Sequence, residues 1–299
     1  MRTPVFLAAS AFALLGANSA AAHAVVGNRF FPATLSTDDP GVADELSLPT
    51  LSSFRTGDEP SARVLDVSGE WSKRLTDKLG ISFGETWTRA KTPDAPTAHG
   101  FQNLETTVKY QFLTSPEHEA ILAGGVSYEW GGTGANQVGA ERHSTVRPTI
   151  YFGKGAGDLP ESLAWARPFA VTGVVGYAIP TTSHSGPDRI PRVLNYGVAV
   201  EYSLPYLASH VKDYGLPDFV NHLTPVVEAS FQTPVSNVSG GRTTGTINPG
   251  LIWSGRRFQL GAEAMLPINS QSGHGTGFVV QVHVFVDDLF PRSLGKPIW

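Results

Sequence analysis

From residue 46 onward the chain alternates polar and apolar side chains over segments of roughly ten residues. The run Val198-Ala199-Val200-Glu201-Tyr202 is an example, with the odd-numbered and even-numbered residues on opposite faces of an extended chain. Such a strand separates an apolar environment from water. Short alternating segments divided by turn residues are typical of outer-membrane barrels. The pattern predicts an all-β fold, an antiparallel up-and-down transmembrane β-barrel.

The connections between these segments alternate between short and long, which predicts a barrel with two different ends. Short turns of bacterial barrels face the periplasm, long loops face outward, and the strand number is even. The first clear segment, 63–72, precedes a short turn and so runs inward, which requires an earlier outward strand at 46–54. The count is then about 12 strands, with 10 to 14 left open, and both termini lie in the periplasm. The other predicted strands are 80–89, 102–113, 120–130, 144–153, 167–179, 193–204, 225–233, 245–254, 258–268 and 277–286.

The connection 205–224 is longer than most periplasmic turns. Leu207, Val211 and Tyr214 stand at helical spacing between prolines, which predicts a short periplasmic helix across the barrel mouth. A disordered loop is the alternative.

The first 24 residues have the pattern of a signal peptide. Arg2 supplies a positive charge, residues 5–17 are almost wholly apolar, and Ala22 and Ala24 are small residues at a cleavage site. Cleavage after Ala22 or Ala24 and an uncleaved anchor are alternatives. The predicted layout is a signal peptide at 1–24, a periplasmic segment at 25–45, the barrel at 46–286 and a periplasmic tail at 287–299. The predicted location is the outer membrane of a Gram-negative bacterium.

Placing the apolar face of each strand toward lipid puts its polar face in the lumen. A charge on the lipid face near the midplane costs about 2 to 4 kcal/mol, so the assignment is physically constrained. Seven of the inward residues are acids and two are Lys or Arg. Two interpretations remain open: an acid-lined passage that disfavours anions, or a side-chain network that closes the barrel. The predicted lumen-lining residues are Asp66, Glu70, Glu105, Lys109, Glu129, Arg147, Asn195, Glu201, Glu228, Glu263, Gln281 and His283.

One predicted strand breaks the alternation. Placing Glu85 in the lumen also places Ile81, Phe83 and Trp87 there. Either this strand adds apolar surface to the lumen, or a bulge changes its phase.

The charges and residue counts exclude several other classes. The chain has 22 Lys and Arg against 26 Asp and Glu, without long blocks, so no basic surface for nucleic acid is expected. The absence of cysteine excludes disulfides and thiolate sites. The nine histidines show no ligand spacing, and no metal or cofactor site is predicted. The acids around Asp38-Asp39 and Asp44-Glu45 lack the glycine and spacing of a calcium loop.

Three alternatives to a channel remain. An outer-membrane hydrolase needs a serine, a histidine and an orienting partner close together. Ser183-His184-Ser185 and Ser272-Gly273-His274 supply adjacent candidates in predicted outward loops. A non-conducting structural barrel and a soluble periplasmic β protein are the other two.

The stretch Gly100-Phe-Gln-Asn-Leu-Glu-Thr-Thr-Val-Lys-Tyr-Gln-Phe112 resembles outer-membrane transporters related to the MetA-type proteins of phenol-degradation pathways. The resemblance implies a monomeric, porin-like barrel that admits hydrophobic or aromatic compounds. Its partners would be outer-membrane lipid, a small-molecule solute and the barrel-assembly machinery. The ending departs from the usual aromatic residue on the last strand, a role left to Phe285 or Trp299. The predicted function is a channel or transporter for passive uptake, with no enzymatic activity.

Overall fold

The computed structural model describes residues 24–185, 188–236 and 241–299. The predicted signal peptide lies outside these residues, apart from Ala24. Twelve long strands pair with their neighbours in the chain, and the last also pairs with the first. They are β1 Glu45–Arg55, β2 Arg63–Arg74, β3 Leu79–Lys91, β4 Glu105–Ser115, β5 Ala120–Glu129, β6 Thr145–Gly155, β7 Phe169–Pro180, β8 Val193–Tyr202, β9 Leu223–Pro234, β10 Thr244–Ser254, β11 Phe258–Pro267 and β12 Gly277–Phe285.

The sheet is therefore a closed antiparallel barrel, and the prediction of twelve strands, including the strand before 63–72, is confirmed. Tight turns such as 75–78 and 255–257 lie at one end, here called the short-turn end. Loops such as 130–144 lie at the opposite, long-loop end. The long-loop end also carries three short strands, Ala98–Phe101, His184–Ser185 and Asp188–Arg189.

The connection between β8 and β9 is helical in part. A turn at Leu204–Tyr206 continues into Leu207–Val211, and a second turn covers Asp218–Asn221. The Ser203 hydroxyl caps the first turn by accepting the Tyr206 N–H at 3.2 Å. The predicted short helix is present, although it ends before Tyr214. No helix among the described residues is long and apolar enough to cross a membrane.

The strands turn most of their apolar residues to the outside of the barrel and most of their polar residues to the lumen, as the alternation in the sequence predicts. In β12, Phe278 is 51% exposed on the outer surface, whereas Gln281 and His283 are buried on the inner side. β-Branched valines between them suit a pleated strand. The outer surface of the barrel is consequently apolar, and its inner surface is polar.

The irregular strand β3 pairs with β2 without a bulge. Directly paired residues share a face, so Glu85 lies outside with Gly69, whereas Gly84 lies inside with Glu70. Both explanations offered by the sequence for this strand are therefore wrong. Moving Ile81, Phe83 and Trp87 out of the polar lumen to the apolar outer face gains about 1.5 to 3 kcal/mol for each side chain. This sum exceeds the cost of placing the one carboxylate of Glu85 on the outer face. Glu85 Oε1 also accepts the Thr86 N–H at 3.0 Å.

Residues 31–42, here called the luminal segment, enter the barrel and do not stay outside its mouth. Phe31 is buried with Ile121 and Ala170. Leu35 packs against a second buried cluster, formed by Ala199, Val226 and Ile252. The predicted periplasmic segment 25–45 thus lies largely within the lumen, because the inner wall supplies the apolar pockets that these side chains need.

The C-terminal tail folds back onto the short-turn end. It begins with a helical turn, Val286–Leu289, and ends where the Trp299 N–H donates to the Leu75 carbonyl at 2.9 Å. Phe285 points inward, and its ring contacts that of Phe30 edge-on at 6.2 Å. The tail and the chain before the luminal segment therefore share one end of the barrel.

Candidate functional site

The luminal segment is held at its N-terminal side by Arg29, which is fully buried. Arg29 Nε donates to Glu119 Oε2 at 3.1 Å, and other guanidinium nitrogens donate to the carbonyls of Arg167 and Pro168. The guanidinium also lies 3.9 Å from the centre of the Tyr206 ring, whose hydroxyl donates to Glu119 Oε1. Burial and the Glu119 carboxylate raise the pKa of Tyr206 to about 12. A buried cation with this many partners fixes the segment to three turns of the short-turn end.

A second ionic cluster holds the C-terminal side of the segment. The buried Asp44 carboxylate accepts Lys73 Nζ at 2.6 Å and Arg74 Nε at 2.8 Å. Lys73 Nζ also donates to the carbonyls of Leu294 and Lys296. The same cluster therefore fastens both the luminal segment and the C-terminal tail to β2.

Between these two anchors, Glu228 holds the middle of the segment through its backbone. The fully buried carboxylate accepts the N–H groups of Leu35 at 2.6 Å, Ser36 at 3.0 Å and Thr37 at 2.6 Å. Ser36 Oγ donates to Glu263 Oε2 at 3.1 Å and accepts Asn248 Nδ2 at 2.6 Å. The segment is thus bonded to β9, β10 and β11 inside the lumen.

The segment then meets β4 at a lysine. Lys109 Nζ donates to Asp38 Oδ1 at 3.0 Å and to the Asp39 carbonyl at 2.8 Å. Burial raises the pKa of Asp39 to about 7, an effect that Lys109 partly offsets and that Glu45 and Asp38 reinforce. A gap of about 40 Å³ remains beside this contact. One water molecule needs about 10 to 15 Å³ of such space, so the gap admits only a few water molecules.

Three adjoining cavities, which share lining residues, lie between the luminal segment and the long-loop end. The largest, here called the acidic cavity, has a volume of about 570 Å³ and is bounded by residues 33–39 of the segment and by β1 to β5 and β12. A second, of about 320 Å³, lies toward β6 to β9, and a third, of about 260 Å³, opens among the outer loops. Glu105 borders all three.

Two polar contacts organise the boundary between these cavities. Arg147 on β6 forms an ion pair with Glu105 on β4. Glu129 on β5 accepts Asn103 Nδ2 at 2.9 Å. The first contact reaches across β5, from β6 to β4, and the second joins β5 to the residues just before β4, so both lie along one wall of the lumen.

The structure places the twelve residues expected in the lumen on the inner face but divides them into groups. Lys109 touches the luminal segment, and Asp66 accepts the Thr88 hydroxyl at 2.7 Å nearer the long-loop end. The residues buried behind the segment are Glu201, Glu228 and Glu263. The residues lining the cavities are Glu70, Glu105, Glu129, Arg147, Asn195, Gln281 and His283.

Sequence reasoning missed the residues that fasten the segment, chiefly Arg29, Asp38 and Asp44. The signal that could have found them is a cation, Arg29, directly before an apolar pair, Phe30-Phe31, and a group of acids later in the same segment, which has no strand alternation. No group of three acid or imidazole side chains in the described ranges is arranged to hold a metal ion.

Among the described side chains of the outer loops, the serines and histidines do not form a catalytic relay. Ser183 Oγ lies 2.9 Å from its neighbour His184 Nδ1, whereas His274 Nε2 lies 3.4 Å from Glu59. Ser272 Oγ donates instead to Asn269 Oδ1.

A serine, a histidine and an acid do meet in the acidic cavity. Ser47 Oγ lies 2.8 Å from His283 Nδ1, and His283 Nε2 lies 3.3 Å from Glu45 Oε2. The sequence gives no local indication of this group, because the barrel closure between β1 and β12 brings it together.

No protein-family model and no curated protein matches the sequence, so the resemblance to MetA-type proteins stays a prediction. Among solved structures, an outer membrane channel from Pseudomonas putida F1 is similar with a TM-score of 0.53 at 13% identity, over 86% of this chain and 99% of that chain. The NanC porin has a TM-score of 0.49 at 9% identity, over 79% and 98%. The KdgM porin has a TM-score of 0.46 at 13% identity, over 79% and 98%. At 13% identity the likeness to the Pseudomonas putida F1 protein concerns the fold alone, a closed β-barrel.

Proposed function

We propose that the protein is an outer-membrane channel for passive uptake of small polar solutes, closed at rest by its own luminal segment. The observation that carries the proposal is the row of polar cavities from the long-loop end down to that segment. The apolar outer surface supports a position in lipid, with the long-loop end outward and the short-turn end in the periplasm. Export by a cleaved signal peptide, insertion by the barrel-assembly machinery and a monomeric state complete the proposal.

Movement of the luminal segment opens the channel. The gap of about 40 Å³ beside Lys109 is far smaller than the cavity of about 570 Å³ on the other side of the segment, so we infer that passage of a solute needs the middle of the segment to shift. Both anchors, at Arg29 and Asp44, lie outside residues 31–42. The segment can therefore bend away from Glu228 while its two ends remain fixed.

The charges of the lumen favour cations and neutral molecules over anions. Glu70, Glu105 and Glu129 line the acidic cavity, together with Asp38 and Asp39 of the segment. Carboxylates in a narrow lumen repel anions. Hydrophobic or aromatic solutes, implied by the resemblance, fit this carboxylate and hydroxyl surface less well than polar ones.

Planar-bilayer recording tests the proposal with two proteins. One is the wild type, and the other carries a Gly-Ser linker of equal length in place of residues 31–42, with Arg29 and Asp44 retained. We expect small, infrequent, cation-preferring openings from the wild type and a larger steady conductance from the linker variant. Absence of current from the linker variant, in a preparation shown by heat-modifiable gel mobility to be folded, would refute the channel function.

A hydrolase is the second candidate, and the Ser47, His283 and Glu45 contacts favour it. Ser47 would be the nucleophile and His283 its base. A fluorophosphonate probe that labels wild-type protein, and leaves Ser47→Ala unlabelled, would support hydrolysis. Equal absence of labelling in both proteins would exclude Ser47 as an activated nucleophile.

A further inference from the structure

One row of inner-face positions in the acidic cavity carries three acids in register. Glu70 on β2 pairs with Gly84 on β3, Gly84 with Glu105 on β4, and Glu105 with Glu129 on β5. Directly paired residues of antiparallel strands point to the same side of the sheet. The row is therefore three carboxylates and one glycine, all facing the same cavity.

The three acids differ in their partners. Glu105 is neutralised by Arg147, and Glu129 accepts the Asn103 amide. Glu70 accepts a hydrogen bond from Ser72 Oγ at 3.3 Å, and within the described residues it forms no ion pair. Glu70 is also exposed to the cavity.

Space is left in front of the Glu70 carboxylate. A Cβ atom added to Gly84 would lie 3.6 Å from Glu70 Oε2, in van der Waals contact. Any larger side chain at position 84 would occupy the volume in front of this oxygen. The glycine thus keeps one side of an unneutralised carboxylate open to the cavity.

A second acceptor lies on the neighbouring row. Gln281 on β12 is 8% exposed and lines the same cavity. Its Nε2 donates to Thr50 Oγ1 at 3.1 Å, which orients the amide, but its Oε1 is buried without a partner in the described structure. A buried acceptor without a donor is unfavourable, so a rotation of the Gln281 side chain that brings this oxygen to a donor on a ligand in the cavity would be favoured.

The following positions of that row add hydroxyl groups. Thr50 pairs with Ser68, which pairs with Thr86, and the Ser68 and Thr86 hydroxyls are 2.8 Å apart. The wall from Gln281 to Glu70 therefore offers carboxylate, amide and hydroxyl oxygens. Among the described residues, no Lys or Arg lines this cavity.

We propose that the acidic cavity binds a small organic cation carrying a primary ammonium group, with Glu70 as its counter-ion and Gln281 Oε1 as a second acceptor. An ammonium has three N–H donors and no acceptor, which matches a wall rich in acceptors. Asp38 and Glu129 line the same cavity, so the second ammonium group of a short diamine would also lie among acids. The inference rests on the proposed channel, which would bring the solute to the cavity.

Isothermal titration calorimetry of the full-length protein in detergent tests the site. The probes are 1,4-diaminobutane, 1,4-butanediol and succinate, which share a four-carbon chain and differ in charge. We expect saturable binding of the diamine and none of the diol or succinate. Glu70→Gln should weaken diamine binding at least tenfold, because a charged hydrogen-bond acceptor becomes neutral. Gln281→Met should weaken it severalfold, and Asp58→Asn in an exposed outer loop should leave it unchanged.

Several outcomes would overturn the proposal. One is equal binding of the diamine to wild type and to folded Glu70→Gln, and another is binding of the diol as tight as that of the diamine. A third is calcium chloride that binds the same site more tightly than the diamine, which would make it a metal site. Bilayer recording of the same preparations separates the two proposals: conduction without diamine binding refutes the site alone, whereas diamine binding without conduction in the linker variant refutes the channel alone.

Discussion

The contact between Glu228 and the luminal segment allows a direct perturbation of the closed state. Glu228→Gln keeps the size of the side chain and removes its charge. One amide oxygen then remains where two carboxylate oxygens accepted the N–H groups of Leu35, Ser36 and Thr37. The new NH₂ group would face backbone donors in a site without exposure to water. The substitution should therefore loosen the middle of the segment without affecting its two anchors.

The size of the effect follows from the lost bonds. A hydrogen bond to a charged group contributes about 1.5 to 3 kcal/mol, and bonds to one carboxylate are not additive. We expect docking of the segment to weaken by about 3 kcal/mol, which changes the ratio of undocked to docked segment roughly 100-fold.

Single-channel recording measures this ratio as the open probability. The expected result is a large rise in the frequency of openings, with the conductance of each opening close to that of the linker variant. Glu117→Gln is the matched control. It is the same chemical substitution, but Glu117 is exposed in a short turn, whereas Glu228 is buried. It should behave as the wild type.

Folding must be shown to be intact before the comparison is made. Heat-modifiable mobility on gels, equal for the wild type and both variants, establishes this. If Glu228→Gln is folded and its open probability equals that of the wild type, the three backbone contacts do not hold the channel closed, and the reasoning is refuted.

Three further predictions concern pH, packing and stability. Because burial raises the pKa of Asp39, docking favours its protonated form: it is strongest below the ordinary pKa of 3.8 and is lost as pH rises through about 7. Openings should increase between about pH 4 and about pH 7, and a flat profile in wild type, or an unchanged slope in Asp39→Asn, would contradict this. A Cβ atom on Gly261 would lie 2.4 Å from Leu35 Cδ1, so Gly261→Val should promote opening. In a double-mutant cycle this effect should shrink with Leu35→Ala, and full additivity would argue against the contact. Asp44→Asn leaves Lys73 and Arg74 buried without their counter-ion and should lower the free energy of unfolding by about 3 to 5 kcal/mol in urea titration; an unchanged midpoint would mean that the cluster is not formed.

The barrel could be predicted because the sequence of each strand by itself shows the alternation of apolar and polar residues. Each strand must present apolar residues to one side and polar residues to the other, and β12 shows this from Phe278 to Val284. The alternation of loop lengths supplied the remaining strand, β1. The location of Glu85 could not be predicted by the same rule. It depends on the summed preference of Ile81, Phe83 and Trp87 for the outer face, which outweighs one acid.

The position of the luminal segment could not be predicted, because many of its contacts with the barrel wall involve backbone atoms and leave no pattern of side chains in the sequence. Glu228 binds the backbone of residues 35–37, and backbone N–H groups look alike in any sequence. The inward acids were expected, but their separation into cavity-lining and buried groups depends on where the segment crosses the lumen. The group of Ser47, His283 and Glu45 likewise depends on closure of the barrel, which joins opposite ends of the chain.

The central claim is that docking of the luminal segment closes the channel, and a reversible cross-link tests it most directly. The chain has no cysteine, and Asn248 Nδ2 lies 2.6 Å from Ser36 Oγ. Ser36→Cys and Asn248→Cys, introduced together with Glu228→Gln, would join the segment to the wall when oxidised. We predict that bilayer current is absent in the oxidised protein and appears after a reducing agent is added. Equal current before and after reduction, with the cross-link verified by mass spectrometry, would contradict the account.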